Sequence, residues 1–173
     1  IDTTSAVVAA SLGDGDGVLA TSAQPGAQAH GELLAPGIDE VLRAAGREPR
    51  DLTHVVVGVG PGPFTGLRVG LVTALVLGEA LGIPVLGVCS LDVVAAPAHD
   101  GLASGFSVVA DARRKEVHVA RYDADRRRLG DPAVSRPGEL DEDIRRGPVV
   151  GPGAALYPEV FTDVRRTDPL EPW

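Results

Sequence analysis

Glycines at 60, 62 and 66 stand between a valine run, Val55–Val59, and a long apolar stretch, and no other residues here are better placed to do chemistry. A strand passing through a glycine turn into a helix leaves the first helical N–H groups free. They then point at whatever lies in front of them, commonly a phosphate. Thr65 adds a hydroxyl to this loop, and Arg68 a guanidinium that can reach a phosphate or pair with a carboxylate. Asp2 follows Ile1 and Asp111 follows the apolar run ending at Ala110, and each precedes a polar turn. At such a position a carboxylate either helps place a metal–phosphate group or closes an Asx turn on its own backbone.

Two common phosphate loops are excluded by spacing. A Walker loop needs Gly-Lys-Ser/Thr at its end, and Gly66 is followed here by Leu67 and Arg68. A dinucleotide fingerprint needs Gly-x-Gly-x-x-Gly after the first strand, whereas these glycines are spaced one residue too far and follow a later strand. Cys89 is alone, so no disulfide framework or thiolate metal site is available. His30, His54, His99 and His118 are scattered, with no i, i+4 pair to hold a metal.

The elements that must position the loop can be read from period and punctuation. Ile1–Ser5 reads as the end of a strand turning sharply, with that strand expected to begin upstream, and Ala6–Leu12 as a short strand. Gly13–Gly17 is a hairpin turn, and Val18–Ser22 returns from it. Leu33, Leu34, Ile38, Val41, Leu42 and Ala45 fall at helical spacing before Gly46. Pro36 belongs in a first turn, which predicts a start near Glu32. A strand over Val55–Val59, a helix over Thr65–Leu81 stopped by Gly82, and a strand over Val85–Val88 follow. The pattern resets near residue 100, and strands over 106–113 and Glu116–Tyr122 repeat the strand–Asp–turn–strand unit of the start. A strand over Leu129–Ser135, a short helix over Pro137–Arg146 and a strand over Pro148–Val150 complete the reading. The expectation is an α/β fold of mixed sheets flanked by helices, with one lobe over 1–100 and a smaller, incomplete one over 101–173.

Composition narrows the partners. The 173 residues are 44% hydrophobic and 3% aromatic, so the core is Val, Leu and Ala. A net charge of −8 argues against extensive electrostatic engagement of nucleic acid by this chain alone. Arg113-Arg114-Lys115 and Arg126-Arg127-Arg128 are short enough to be turns. Charges at Arg68 and Glu79 interrupt the apolar helix, which argues against a membrane span, and no signal peptide is visible, which makes a cytoplasmic location the expectation.

Gly60-Pro-Gly-Pro-Phe-Thr-Gly-Leu-Arg-Val-Gly70 resembles the signature of the bacterial TsaB (YeaZ) family. Ile1-Asp2-Thr3-Thr4-Ser5, His30-Gly-Glu-Leu-Leu-Ala-Pro36, Ile83–Ser90 and Asp111–His118 carry the likeness through about residue 122. The resemblance implies a two-lobed fold of the actin, Hsp70 and sugar-kinase kind. It also implies a non-catalytic activator of the related TsaD, which transfers a threonylcarbamoyl group to the adenosine beside the anticodon of tRNAs reading ANN codons. A TsaE-like ATPase, a homodimer and indirect contact with tRNA follow from the same likeness, with no intrinsic cofactor and ATP or ADP only at the level of the complex. The catalytic relative carries a His-x3-His metal pair where this chain has Ser90 and Val94. Pro63 replaces the family's usual serine and removes one N–H from the loop. The alternative is an ATP-dependent small-molecule phosphotransferase using Asp2 and Asp111, for which Gly151-Pro-Gly153 is the only candidate second loop.

Gly66, Gly70, Ala74, Gly78 and Gly82 recur every fourth residue, a ridge nearly without side chains. Each interior glycine costs a helix roughly 0.5–1 kcal/mol relative to alanine, so the ridge calls for a close neighbour. That neighbour is either the chain's own sheet or a homologous partner. On the second reading the partner face comprises Leu34, Ile38, Val41, Gly66, Gly70, Ala74 and Gly78.

Overall fold

A computed structural model describes residues 1–26, 29–98, 102 and 105–165. The chain divides into two compact units, Ile1–Val88 and the described residues from Cys89 onward. The division falls at Val88, earlier than the boundary expected near residue 100, because Leu91 and Ala95 are buried in the second unit's core with Phe106, Val108 and Tyr122. The expected linker at 100–105 and His99 lie largely outside the described residues.

In the first unit, β1 (Val7–Asp14) and β2 (Gly17–Pro25) form an antiparallel hairpin. Strand β3 (Val55–Gly58) pairs in parallel with β4 (Val85–Val88). Ile1 and Asp2 lie between these ladders. Asp2 and Ala9 exchange backbone hydrogen bonds of 2.9 and 2.8 Å. The Ile1 amine donates to the Val56 carbonyl at 2.9 Å, and the Gly58 N–H donates to the Ile1 carbonyl at 3.0 Å. The spatial order is therefore β2-β1-(Ile1–Asp2)-β3-β4.

Helix α1 (His30–Ala44) packs on the β1–β2 hairpin, burying Leu34, Gly37, Val41 and Leu42. It begins before the expected Glu32 and carries Pro36 in its second turn. Pro36 is exposed, so the carbonyl it leaves unpaired faces water, which is where such a break is tolerated. Helix α2 (Phe64–Leu81) covers β3 and ends on Gly82 at φ +66°. By length and composition α2 could cross a membrane. Its buried face, however, is spent on its own unit, with Ala74 packed among Val55 and Val57.

The second unit is a five-stranded sheet, ordered β7-β6-β5-β8-β9. Strands β5 (Phe106–Arg113), β6 (Glu116–Tyr122) and β7 (Ala133–Ser135) are antiparallel, while β8 (Pro148–Val150) and β9 (Asp163–Val164) run parallel to β5. Phe106 lies opposite Tyr122 in the ladder, and their rings stack with centroids 5.3 Å apart. Helix α3 (Ser90–Ala95) supplies Asp92, which accepts from the Tyr122 hydroxyl and from Arg128 Nη1, both at 2.8 Å. Burial and the Asp92 carboxylate push the Tyr122 phenol far above its ordinary range. Arg128 thus leaves the expected exposed arginine turn to close an ion pair.

The expected helix over 137–146 is split in two. A 3-10 turn, Pro137–Glu139, is separated from α4 (Glu142–Arg146) by Leu140 and Asp141, both with extended ψ angles of 152° and 146°. The expected strand over Leu129–Ser135 is reduced to its last three residues.

Candidate functional site

The glycine loop closes over the turn that follows Asp2, and its glycines mark places where another part of the chain comes too close for a side chain. A Cβ on Gly58 would lie 2.5 Å from Asp2 Oδ2. One on Gly62 would strike the Thr4 carbonyl oxygen, and one on Gly66 the Thr3 carbonyl oxygen. At Gly70 it would meet the Thr3 hydroxyl, and at Gly78 the Val85 side chain. Gly60, at φ +90°, makes the turn itself.

Hydrogen bonds fix the arrangement. Buried Thr3 donates its hydroxyl to the Gly66 carbonyl at 2.8 Å and accepts from the Gly70 N–H at 3.0 Å. Asp2 Oδ1 accepts both the N–H and the hydroxyl of Thr4, each at 2.7 Å. Buried His30, at the start of α1, holds Nε2 3.0 Å from the Ser5 carbonyl oxygen. Thr3 and His30 stand within segments that carry the family resemblance, yet neither is among the expected site residues. The signal was their place beside a glycine ridge that needed a close neighbour.

Of the residues expected to face a phosphate, Asp2, Gly60 and Gly62 are gathered at one end of α2. Asp2 spends one carboxylate oxygen on an Asx turn. Thr65 is exposed on the first turn of α2. Arg68 lays its guanidinium over the Phe64 ring, 4.2 Å from the centroid, a cation–π contact on the outer face of the helix. Pro63 occupies the N-cap, so the loop offers one donor fewer there.

Asp111 lies in the second unit and repeats the turn of Asp2. Its Oδ1 accepts the Arg113 N–H at 2.8 Å, and Oδ2 pairs with the Arg113 guanidinium at 3.3 Å. Arg113, Arg114 and Lys115 all take positive φ, between 52° and 66°, so the basic cluster is a strained hairpin tip. Gly151-Pro-Gly153 does not form an open cradle. The Gly153 N–H donates to the Val109 carbonyl at 2.9 Å, and both glycines press against the backbone of β5.

Near Asp111, His118 sits opposite Ala110 with its Nδ1 buried and unpartnered among the described residues. Burial holds its imidazole below the ordinary 6.5, with Asp111 and Glu116 pulling the other way. The unfolded chain therefore takes up this proton before the folded one, and stability is lost as pH falls below about 6.5. Replacing His118 with Asn is expected to flatten the pH dependence of the urea midpoint between about pH 5.5 and 7.5. An unchanged slope would assign that dependence to other groups.

The expected partner face points the other way. Gly66, Gly70, Ala74 and Gly78 are the buried residues of α2, and Leu34 and Val41 are buried in α1. Ile38 is half-buried. The ridge docks on the chain's own Thr3, Val57 and Val85, so these residues do not form an outer surface. The outer surface of α2 is instead an apolar stripe, with Phe64 65%, Val72 58%, Leu75 59% and Val76 60% exposed.

Comparison with known proteins places this arrangement. The family model described as TsaD, tRNA N6-adenosine threonylcarbamoyltransferase, matches residues 15–149. An uncharacterized protein of Mycobacterium leprae is 46% identical over 145 residues, which is 82% of this chain and 39% of its own length. The tRNA threonylcarbamoyladenosine biosynthesis protein TsaB of Bacillus subtilis is 37% identical over 95 residues, 54% of this chain and 40% of its own. The chain thus spans about two fifths of the length of these relatives. A crystal structure of a Pseudomonas aeruginosa protein, described as similar to peptidase YeaZ, superposes with a TM-score of 0.82 at 24% identity, over 96% of this chain and 82% of that one. At that identity the superposition speaks for the fold, while the family model speaks for descent. This chain belongs to the TsaD family, tRNA N6-adenosine threonylcarbamoyltransferase, as a member of the TsaB/YeaZ type.

Proposed function

We propose that this chain acts in the formation of threonylcarbamoyladenosine in tRNA as a non-catalytic partner of a TsaD-like transferase. The observation that carries the reading is the closure of the glycine loop on the Asp2–Ser5 turn. A loop whose glycines are filled by its own backbone, with Pro63 at the cap and Asp2 turned onto Thr4, is built to hold a helix in place. It is poorly suited to gripping a nucleotide. Ser90 and Val94, at the positions of the relative's metal-binding histidines, support the same reading. The fold is that of the actin, Hsp70 and sugar-kinase superfamily, with its loop retained as architecture.

The partner face is the outer stripe of α2, Phe64, Val72, Leu75 and Val76, which is apolar where the rest of the helix is already buried. The same stripe suits a second copy of the chain. A TsaE-like ATPase, ATP or ADP, and tRNA engage only the assembled complex, in the cytoplasm. The test is reconstitution with a TsaD-like protein, threonylcarbamoyl-adenylate, the ATPase and tRNA, with and without this chain. Modification is expected to fall at least tenfold when the chain is omitted. Equal modification in its absence overturns the partner reading. Phosphoryl transfer from ATP to a small acceptor by the chain alone would favour the phosphotransferase instead.

A further inference from the structure

An open sheet edge invites another strand, and proteins blunt their edges by shortness, charge or proline. Among the described residues three of the sheet edges are short: β4 has four residues, β7 three and β9 two. The remaining edge is β2, nine residues long over Gly17–Pro25, with no charged side chain and its one proline at the very end. Val18 and Leu19, at its start, are 72% and 44% exposed.

The β1–β2 register fixes which backbone groups line this edge. Ala9 gives both its N–H and its C=O to Asp2, so Ala9 and Ala23 face each other without exchanging hydrogen bonds. Period two then turns the N–H and C=O of Ala23 and Thr21 away from β1, while Ser22 and Gln24 bond to it. Leu19 has no partner on β1, because the register shifts at that point. Helix α1 lies over the hairpin, packed on both strands, and leaves the edge itself open. Gly37 stands against Ser22, whose hydroxyl donates to Glu40 Oε2 at 2.6 Å.

We propose that the β2 edge is an interface with a second copy of this chain, the two β2 strands pairing antiparallel about a two-fold axis at Thr21. In that register Thr21 exchanges hydrogen bonds with its equivalent, Leu19 lies opposite Ala23, and Val18 lies opposite Gln24. The helices extend the contact. Because α1 rests on both strands of the hairpin, α1 and its equivalent come about 10 Å apart, two strand spacings and the distance at which helices pack. Leu33 adjoins Gly26 and Gly37 adjoins Ser22, so α1 runs antiparallel to β2 and the two helices run antiparallel to each other. Glu40 overhangs β2, and Arg43 follows it on the same side of α1. Antiparallel packing brings Arg43 of each copy beside Glu40 of the other, a complementarity of charge that the chain has with itself. Helix α2 covers β3, so its outer stripe stays free for a different partner.

The test is the association state of this chain, followed by light scattering on a sizing column, with amide exchange read residue by residue. A dimer half-formed at about 100 μM or below is expected. The Thr21 and Ala23 amides should exchange about tenfold more slowly in concentrated than in dilute samples. Thr21→Pro removes only an outward N–H, and Thr21→Lys sets two ammonium groups face to face. Each is expected to weaken the dimer about tenfold or more while the Ser22 amide, bonded to β1, stays protected. Should both variants unfold, the exchange measured on the unaltered chain decides. Val72→Asp with Val76→Lys separates this edge from the α2 stripe and is expected to leave the dimer intact. A chain still monomeric at about 500 μM overturns the proposal. So does a dimer in which the Thr21 and Ala23 amides exchange as in the monomer, or one that the α2 double variant abolishes. Protection of these amides only when a TsaD-like protein is added overturns it as well, because the edge then belongs to that partner.

Discussion

Gly66→Ala is expected to destabilise the chain by about 2–3 kcal/mol, although alanine is the better helix former by about 1 kcal/mol. The added Cβ would run into the Thr3 carbonyl oxygen and lie 3.0 Å from His30 Nε2. A backbone oxygen held in the Asp2–Ser5 turn cannot rotate aside as a side-chain tip can, so the whole turn must shift. Gly31→Ala is the control. It lies in α1 with nothing near its missing Cβ, and helix propensity alone should make it neutral or slightly stabilising. Urea unfolding distinguishes the two through a lower midpoint at unchanged slope for Gly66→Ala only. Equal midpoints would mean that the turn does not rest on α2.

The double substitution Val72→Asp and Val76→Lys tests the opposite face of the same helix. Both side chains are more than half exposed, so the urea midpoint should move by less than about 0.5 kcal/mol in free-energy terms. Binding to a TsaD-like partner, measured by titration calorimetry, should weaken about thirtyfold or more, the effect of removing about 2 kcal/mol from the centre of an interface. Full affinity in a folded double variant would move the partner face elsewhere. A bulky change at Gly70 or Ala74 would test nothing about partners. Those positions are buried in the chain's own unit, and the result would be an unfolded protein.

That contrast shows where sequence reasoning about α2 was strong and where it failed. The start of the helix, its stop at Gly82 and the need of its ridge for a close neighbour all followed from residue types. The direction of the ridge did not. Periodicity has a phase only when one face is polar, and Leu67, Leu71, Val72, Leu75 and Val76 make α2 apolar nearly all round. Residue volume carried the missing information, since a helix approaches backbone most closely through glycines. The Asx turns at Asp2 and Asp111 were among the readings left open, and here both carboxylates are turned onto their own chain.

Helix α3 escaped notice for a different reason. Its six residues are too few for a period, and Leu91, Val94 and Ala95 are the only marks of its inner face. The start of α1 expected near Glu32 rests on placing Pro36 in a first turn. Pro36 sits in the second, on the side facing water. The break between the 3-10 turn and α4 depends on two extended residues, Leu140 and Asp141, that carry no distinctive turn chemistry.

Thr3 has one further consequence, a spectroscopic one. The Gly70 N–H, which helix geometry would direct to the carbonyl four residues back, is held by the Thr3 hydroxyl, and that same hydroxyl caps the Gly66 carbonyl. The Gly70 amide resonance is thus a reporter on tertiary docking carried by a residue of regular helix. Its chemical shift and exchange rate follow whether the Asp2–Ser5 turn is seated, while the amides of the exposed turns of α2 follow the helix alone.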